Sequence, residues 1–228
     1  MINISVTIPT RGRSIMLKRA LESLYSKCSK PEAIEVILRI DEDDLETIDF
    51  VKTLSYSNLK TIIGDRLGGY ASIHLFTNEM CKIAQGKLIF CYSDDSEMLT
   101  DNWDNYLYPY LNTICILKLQ HVFNHNLSSL IYLVVNRKVF EILGHLSLNA
   151  HTDTWMEMIG PRSGIYGVVN DISVRHYVAI GDQTEMDTNS HKGTTSPNFW
   201  STEMGQEREN DINKLVNYIK LYGKDIKD

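Results

Sequence analysis

The stretch GKLIFCYSDDSE, residues 86–97, joins an apolar run directly to a group of acidic side chains. Residues 88–92 are rich in types that favour strands, and Asp94, Asp95 and Glu97 follow at once. The pattern predicts a buried strand with carboxylates at its carboxyl end, which is where open α/β sheets bind ligands. Because neighbouring acids repel one another, two interpretations stay open: a divalent metal that could hold a diphosphate, or a solvated Asp-rich turn.

Strand and helix patterns alternate on either side of this stretch. Strands are predicted at residues 4–9, 33–40, 59–63, 88–92, 113–119 and 129–135. Helices are predicted between them, at residues 14–25, 45–54, 70–84, 101–111 and 138–143. This alternation predicts an α/β fold, with a mostly parallel sheet covered by helices on both faces.

The last third of the chain is less regular than the α/β core predicted for residues 1–150. Residues 151–228 form the remaining part of the same domain in this interpretation. Their predicted elements are a helix at 151–159, strands at 166–169 and 172–178, and a closing helix at 207–222. The polar stretch 184–199 is predicted to be a loop, and its part from 191 to 199 could act as a lid over a bound ligand.

Composition and charge exclude several classes of protein. The chain has 228 residues, of which 43% are hydrophobic and 23% charged, values typical of a folded domain. A net charge of -6 disfavours a broad basic surface for nucleic acid, although a local basic groove stays open. No apolar run approaches the roughly 20 residues that span a bilayer, and the start of the chain lacks the basic residues of a signal peptide. We therefore predict a cytoplasmic protein without an integral membrane segment.

Several segments, taken in order, resemble the nucleotide-sugar glycosyltransferases of the GT-A fold, closest to the inverting family 2 type. The resemblance covers residues 1–150 well and the remainder loosely. The segments that carry it are VTIPTRGR at 6–13, the Asp-rich end of the second strand, Asn78 followed by Ala84-x-Gly86, YSDDSEM at 92–98 with Trp103 behind it, and VVNRKVFEILG at 134–144. The resemblance implies a Rossmann-like GT-A core with an irregular acceptor and lid region at its C-terminal end.

The resemblance implies a nucleotide pocket at the ends of the first strands. The matching residues are Pro9, Thr10, Arg11, Asp41, Asp43 and Arg66. The first three fall where the family's first loop lines the pocket. The two acids fall where a carboxylate contacts the base or ribose, and the arginine at 66 falls where a basic or polar side chain approaches the nucleotide.

The resemblance also implies a metal site at the family's DxD position, occupied here by Ser93, Asp94 and Asp95. Asp95 would bind the metal and Asp94 would lie near the donor sugar or ribose. Ser93 replaces the family's first acid, so diphosphate oxygens, water and a further side chain would complete the site. His176 falls where many relatives place a histidine on the same metal, and imidazole favours Mn²⁺ over Mg²⁺. A partly buried strand histidine explains His176 equally well.

An inverting transferase needs a base that takes a proton from the attacking hydroxyl. Asp153 lies in the region where the family places this acid, and Glu157 is the second candidate. A carboxylate that caps the helix predicted at 151–159 is the alternative explanation for Asp153. Trp155 either stacks on an acceptor or belongs to the core, and the core is favoured.

Together these features predict an enzyme that transfers a hexosyl or pentosyl group from a nucleotide sugar, with UDP-sugar first, to a hydroxyl acceptor. The alternatives are a nucleotidyltransferase, for which the loop after the first strand is short, and a non-catalytic nucleotide- or sugar-binding module, which the missing first acid favours. The acceptor could be a glycan or, for a phage protein, hydroxymethylated DNA. The Asn-, Ile- and Lys-rich composition suggests an AT-rich genome, hence a bacterial or phage-infected host cytosol.

Overall fold

The computed structural model describes residues 1–123, 132–177 and 197–226, and its centre is an eight-stranded sheet. The strands are β1 (Ile4–Thr10), β2 (Ile34–Asp41), β3 (Leu59–Gly64), β4 (Leu88–Cys91), β5 (Ser96–Met98), β6 (Ile116–Phe123), β7 (Leu133–Asn136) and β8 (Tyr166–His176). The α-helices are α1 (Ser14–Ser26), α2 (Leu45–Lys52), α3 (Ile73–Ile83), α4 (Arg137–Leu143), α5 (Thr152–Arg162) and α6 (Thr202–Tyr222). Short 3₁₀ turns connect several of these elements.

The strand order in the sheet is β3-β2-β1-β4-β7-β6-β8-β5. Strand β1 pairs in parallel with β2 and β4, β2 with β3, and β6 with β8. Strand β7 runs antiparallel to β4 and β6, and β5 runs antiparallel to β8. The predicted α/β fold class is confirmed, and the sheet is mixed because β5 and β7 oppose their neighbours.

Hydrophobic side chains on the two faces of the sheet form two cores. Alternate residues of β4 point to opposite faces, so Phe90 belongs to one core and Ile89 to the other. Helices α1 and α2 cover the first face, while α3 to α6 cover the second. Val139 and Trp155 share the second core, which therefore draws on residues from both sides of position 150.

The segments 101–111 and 166–178 differ from their sequence predictions. The single helix predicted at 101–111 is wrong: the structure has two short 3₁₀ helices, Trp103–Tyr106 and Tyr108–Tyr110. Pro109 has no N–H to donate and disfavours the α conformation at the preceding residue, which accounts for the break. The two strands predicted at 166–169 and 172–178 are one strand, β8, which pairs with β6 along its length.

The closing helix α6 begins at Thr202, five residues earlier than predicted, because Ser201 caps it. The Ser201 side chain accepts a hydrogen bond of 3.2 Å from the Met204 N–H. Residues 191–196 of the proposed lid lie outside the described residues, while Phe199, at the end of that segment, is buried in the second core. Within the described ranges, no helix combines the length and hydropathy needed to cross a bilayer.

Candidate active site

The carboxyl ends of β1, β2, β3, β4, β6 and β8 lie at one edge of the sheet, which we call the carboxyl edge. This follows from the pairings, since β1 to β4 run parallel and β7 reverses the direction once before β6 reverses it again. The last residues of β1 and β2, together with the loops that follow β1, β2 and β4, carry most of the side chains predicted to bind a nucleotide or a metal. The fold therefore gathers them at one place.

The first cluster at the carboxyl edge contains Asp94 and Asp95, which follow β4. Both residues are 4% exposed. The Thr10 hydroxyl donates to Asp94 Oδ2 at 2.8 Å. Arg13 Nη1 lies 3.2 Å from Asp94 Oδ1 and 3.2 Å from Asp95 Oδ2, so one guanidinium group serves both carboxylates. The cation expected among these acids is thus supplied by the chain itself, from the residue before α1.

His176 reaches Asp95 because β5 pairs with the end of β8. The backbone register places Ser96 opposite His176, and His176 Nε2 lies 3.1 Å from Asp95 Oδ1. The Ser93 hydroxyl donates to the same Asp95 oxygen. His176 Nδ1 is buried, and no partner for it lies among the described residues. The predicted metal ligands Asp95 and His176 are therefore direct neighbours, although they are 81 positions apart in the chain.

The two adjacent carboxylates differ in their protonation chemistry. Burial and the neighbouring Asp95 charge raise the pKa of Asp94, and Arg13 and Thr10 offset this only in part. Burial also opposes the ionisation of Asp95, but hydrogen bonds from His176 and Ser93 and the Arg13 charge outweigh it and lower the pKa of Asp95. Asp95 is therefore the carboxylate that keeps its negative charge, as a metal ligand requires.

A second cluster joins the ends of β1 and β2. Arg11 Nη1 lies 3.1 Å from Asp41 Oδ2, and Arg11 also binds both carboxylate oxygens of Asp43, with Nη2 at 3.0 Å from Oδ2. Arg66, after β3, approaches Asp43 Oδ2 at 3.8 Å. Pro9 lies in β1 just before this cluster. The residues predicted for the nucleotide pocket are thus brought together, with an arginine between the two acids.

Asp153 lies in the first turn of α5, near the end of β4. Burial and the Asp153 charge raise the pKa of Tyr70, and the same two causes raise the pKa of Cys91, the last residue of β4, to about 11. The Thr154 N–H donates to Asp153 Oδ1 at 2.7 Å, but the N-cap of α5 is His151 and no side chain caps the helix, so Asp153 is a first-turn acid and not its cap. Burial raises the pKa of Asp153 itself, against the opposing Thr154 hydrogen bonds.

Glu157 lies one turn further along α5 and faces away from the carboxyl edge. Its Oε1 atom lies 3.1 Å from Lys118 Nζ and accepts a hydrogen bond of 3.2 Å from the Tyr166 hydroxyl. Lys118 is near the start of β6 and Tyr166 is the first residue of β8. Glu157 therefore already has a cationic partner, whereas no lysine or arginine of the described residues pairs with Asp153.

Several solved structures have a fold similar to that of this chain. No family model and no curated protein matches this chain. The crystal structure of S. aureus TarS 1-349 in complex with UDP-GlcNAc matches it with a TM-score of 0.64 and 11% identity, covering 97% of this chain and 73% of that one. The complex of the same TarS fragment with UDP matches with a TM-score of 0.61 and 12% identity, covering 76% of this chain and 60% of that one. The mannosyltransferase PcManGT from Pyrobaculum calidifontis, in complex with GDP-Man and Mn²⁺, matches with a TM-score of 0.62 and 12% identity. The match covers 80% of this chain and 58% of that one.

The chain has the GT-A fold. At these identities the likeness concerns the fold alone, and this chain spans 60% of the length of the UDP-bound TarS chain. The sequence resemblance to GT-A proteins is thereby confirmed at the level of the fold.

The donor atoms at the DxD position of this GT-A fold suit a divalent cation in part. Asp95 and His176 offer one carboxylate and one imidazole at close range, the donor types that Mn²⁺ accepts. The unpartnered Nδ1 of His176 is a further buried donor atom. No group of three His, Cys, Asp or Glu side chains arranged to hold a metal is found in the described parts of the chain. A bound ion would therefore need ligands from a diphosphate or from water.

Two expectations about the acidic stretch need correction. Glu97 does not join Asp94 and Asp95, because it lies in β5 and its Oε2 atom binds Arg175 at 3.0 Å and the Tyr177 hydroxyl at 2.5 Å. Arg13, which belongs to the VTIPTRGR segment, was not predicted as a site residue. Residues 96–98 form a strand only because they pair with β8, and the ion pairs of a loop arginine depend on its neighbours in the fold, so the local sequence could not reveal either.

The aromatic residues near α5 divide between core and surface. Trp155 is fully buried and its Nε1 donates to Asp211 Oδ2 at 3.0 Å, which confirms its core assignment. Trp200 is 72% exposed and its ring packs against that of Phe199. The Phe199 ring in turn contacts the ring of His151, two residues before Asp153. Sequence analysis did not single out Trp200, since a tryptophan in a polar segment gives no sign of which side it exposes.

Proposed function

We propose that this chain is a glycosyltransferase that transfers a sugar from a nucleoside-diphosphate sugar to a hydroxyl acceptor, with inversion at the anomeric carbon. The observation that carries the proposal is the meeting of Asp94, Asp95 and His176 at the carboxyl edge of a GT-A sheet. UDP-sugar is the first candidate donor. Structural neighbours bind UDP, UDP-GlcNAc and GDP-Man, which makes nucleoside-diphosphate sugars the class to test.

The nucleotide end of the donor would occupy the second cluster. Asp41 and Asp43 offer carboxylate oxygens to the N–H and O–H groups of a base or ribose, and Arg11 holds both acids in place. The Arg11 guanidinium is partly exposed and can stack on or bond to the nucleotide. Asp94, which Thr10 orients through a hydrogen bond, would then face the donor sugar or ribose.

The diphosphate would lie at Asp95 and His176. A divalent cation on these two residues, Mn²⁺ first and Mg²⁺ second, would neutralise charge that develops on the leaving nucleoside diphosphate. Ser93 and Arg13 hold the Asp95 carboxylate in one orientation through hydrogen bonds to its two oxygens. The lowered pKa of Asp95 keeps it ionised over the working pH range.

The acceptor would enter from the side of α5, where Asp153 acts as the general base. A base must take the proton as the acceptor oxygen attacks, and Asp153 Oδ2 accepts neither of the Thr154 hydrogen bonds, which both go to Oδ1. Burial raises the pKa of Asp153 and so makes it a stronger base than an exposed aspartate. Glu157 is the weaker candidate because Lys118 already neutralises it.

The same side exposes two aromatic rings that suit a sugar acceptor. Tyr70 is 56% exposed and its pKa responds to the Asp153 charge, while Trp200 is exposed beyond Phe199. Aromatic faces pack well against the apolar faces of sugar rings and bases. A glycan is therefore the first acceptor to test, with hydroxymethylated DNA as the second.

A donor screen tests the proposal directly. Thermal unfolding of the wild type is measured with UDP, GDP and their sugar conjugates, each with Mn²⁺ and with EDTA. We expect at least one nucleotide to raise Tm with Mn²⁺, and Asp95→Ala to lose this gain. Asp101→Ala is the control, since Asp101 is an exposed acid six residues after Asp95 and its carboxylate pairs with Lys27. If no nucleotide stabilises the wild type, or if Asp95→Ala responds equally, the proposal fails.

A non-catalytic nucleotide- or sugar-binding module is the second candidate. Two observations favour it: Ser93 replaces an acid, and Arg13 already occupies the two carboxylates that remain. Release of nucleoside diphosphate from a stabilising donor, with and without glycan acceptors, separates the two candidates. Donor binding without any turnover would favour the module.

A further inference from the structure

Arg13 has an unusual place in the first cluster. Among residues 1–123, 132–177 and 197–226, it is the only lysine or arginine within ion-pair distance of Asp94 or Asp95. It holds a single nitrogen, Nη1, at 3.2 Å from each carboxylate. A bridging cation between two adjacent buried acids is the role that a divalent ion takes in a metal site.

The backbone of Arg13 is fixed while its side chain is partly exposed. The Leu17 N–H donates to the Arg13 carbonyl at 2.9 Å, which places the residue at the amino end of α1. The preceding Gly12 N–H donates to Asp44 Oδ2 at 2.7 Å. The Arg13 side chain is 28% exposed, in contrast to the two carboxylates beneath it. A change of rotamer of this partly exposed side chain, on the same backbone, would take the guanidinium group off the carboxylates.

A divalent cation at Asp95 would meet the positive charge of Arg13 at close range. Both would use the Asp95 carboxylate, whose Oδ2 accepts from Arg13 and whose Oδ1 faces His176. Like charges that share a buried site repel one another, and burial reduces the screening by solvent. A metal ion can bind tightly only if Arg13 moves aside or loses part of its attraction to the acids.

We infer that Arg13 is a built-in counter-ion of Asp94 and Asp95 that competes with a divalent cation for this carboxylate pair. The inference rests on the proposed function for its account of why a cation would bind here. It predicts that Arg13 neutralises the two carboxylates when no metal ion is bound. It also predicts that Arg13 lowers the affinity of the protein for Mn²⁺.

The test is a calorimetric titration of Mn²⁺ into the nucleotide-free full chain at pH 7.5. We compare the wild type with Arg13→Met, Arg13→Lys and Arg162→Met. Arg162→Met is the matched control, since it removes the same charge from a surface pair with Glu209. We expect Arg13→Met to bind Mn²⁺ at least tenfold more tightly than the wild type, and Arg13→Lys and Arg162→Met to stay within threefold of it.

A second readout is the stability of the metal-free protein. In EDTA, Arg13→Met should unfold at a lower temperature than the wild type, because two buried carboxylates lose their shared partner, and Mn²⁺ should restore more of Tm in this variant than in the wild type. Replacement of Asp95 by Ala in the Arg13→Met background should abolish the gain in Mn²⁺ affinity.

Three results would overturn the inference: equal or weaker Mn²⁺ binding by Arg13→Met, an equal gain in Arg162→Met, or no Mn²⁺ binding by any variant. Titrations of UDP and GDP into the same preparations report on the proposed function separately. If the protein binds Mn²⁺ as inferred but binds neither nucleotide, the competition between Arg13 and the cation is supported and the proposed transferase function is contradicted.

Discussion

The two edges of the sheet each hold buried carboxylates, and they are neutralised in different ways. At the opposite edge, where β1 to β4 begin and which we call the amino edge, Glu35 at the start of β2 is fully buried. Its Oε1 accepts hydrogen bonds of 2.6 Å from the Ser5 hydroxyl and from the Gln85 N–H, and its Oε2 lies 2.6 Å from Lys60 Nζ. At the carboxyl edge, two carboxylates share one arginine nitrogen.

The pKa values of the two edges follow from this difference. Burial opposes the ionisation of Glu35, but hydrogen bonds from Lys60, Ser5 and Gln85 outweigh it and lower its pKa. Burial and the Asp95 charge instead raise the pKa of Asp94. Glu35 and Asp95 each have three partners and a lowered pKa, whereas Asp94 has only the Thr10 hydroxyl and the shared Arg13. Asp94 therefore costs stability and retains capacity to bind a ligand, and this separates it from the structural acid Glu35.

The largest expected effect is a loss of activity on replacement of Asp153, the proposed general base at the carboxyl edge. Asp153→Asn removes the group that accepts the acceptor proton, so we expect kcat to fall about 1,000-fold while donor binding is retained. In the wild type, kcat should rise with pH through an apparent pKa above that of an exposed aspartate, because only the ionised carboxylate accepts a proton. Glu157→Gln is the matched control on the same helix. A larger loss in Glu157→Gln than in Asp153→Asn would reverse the assignment.

Substitutions at the amino edge should lower the stability of the protein and leave nucleotide binding unchanged. Glu35→Gln leaves Lys60 without its partner and replaces a charged acceptor of two hydrogen bonds, so we expect a loss of about 3 kcal/mol in the free energy of unfolding. Glu32→Gln, an exposed acid three residues earlier, should change it by less than about 0.5 kcal/mol. Urea unfolding measures both. Unchanged stability in Glu35→Gln would remove the distinction between the two edges.

Gly86 tests how closely the amino edge is packed. A Cβ atom at this position would lie 2.5 Å from Ser5 N and 2.7 Å from the Ile4 carbonyl carbon, both backbone atoms that cannot turn away. We expect Gly86→Ala to cost about 2 kcal/mol in the free energy of unfolding, measured by urea denaturation. Gly205→Ala in α6 is the control, since the nearest atom to its Cβ is a side-chain nitrogen of Arg208 at 3.9 Å, and this change should be neutral or stabilising.

The smallest expected effect is a difference in the pH dependence of stability. The pKa of Glu35 is lowered on folding, so its contribution is present above the ordinary pKa of about 4 and is lost as pH falls. The pKa of Asp94 is raised, so its contribution is present below about pH 4 and is lost as pH rises through the raised pKa. Between about pH 4 and pH 7 in EDTA, Asp94→Asn should gain stability relative to the wild type by about 1 kcal/mol. Parallel curves for Asp94→Asn and the wild type would contradict this.

The sequence predicted the strands of the parallel half well. Buried parallel strands are continuous apolar runs, so β1, β2 and β4 stand out from their polar surroundings without any knowledge of their neighbours. The position of the acids after β4 followed from the same reasoning. The helix predicted at 101–111 failed because the prediction relied on the helical spacing of apolar residues, although Pro109, which the sequence itself shows, interrupts the hydrogen bonds.

The local sequence alone determined where β1, β2 and β4 end, to about one residue, and which charged side chains follow them, because periodicity and turn chemistry are properties of neighbouring residues. Only the tertiary structure decided that Arg13 lies on Asp94 and Asp95, that β5 brings His176 to Asp95, and that Glu97 points elsewhere. These contacts join residues that are 78 to 82 positions apart, and their energies depend on burial and distance. Neither quantity exists before the chain has folded.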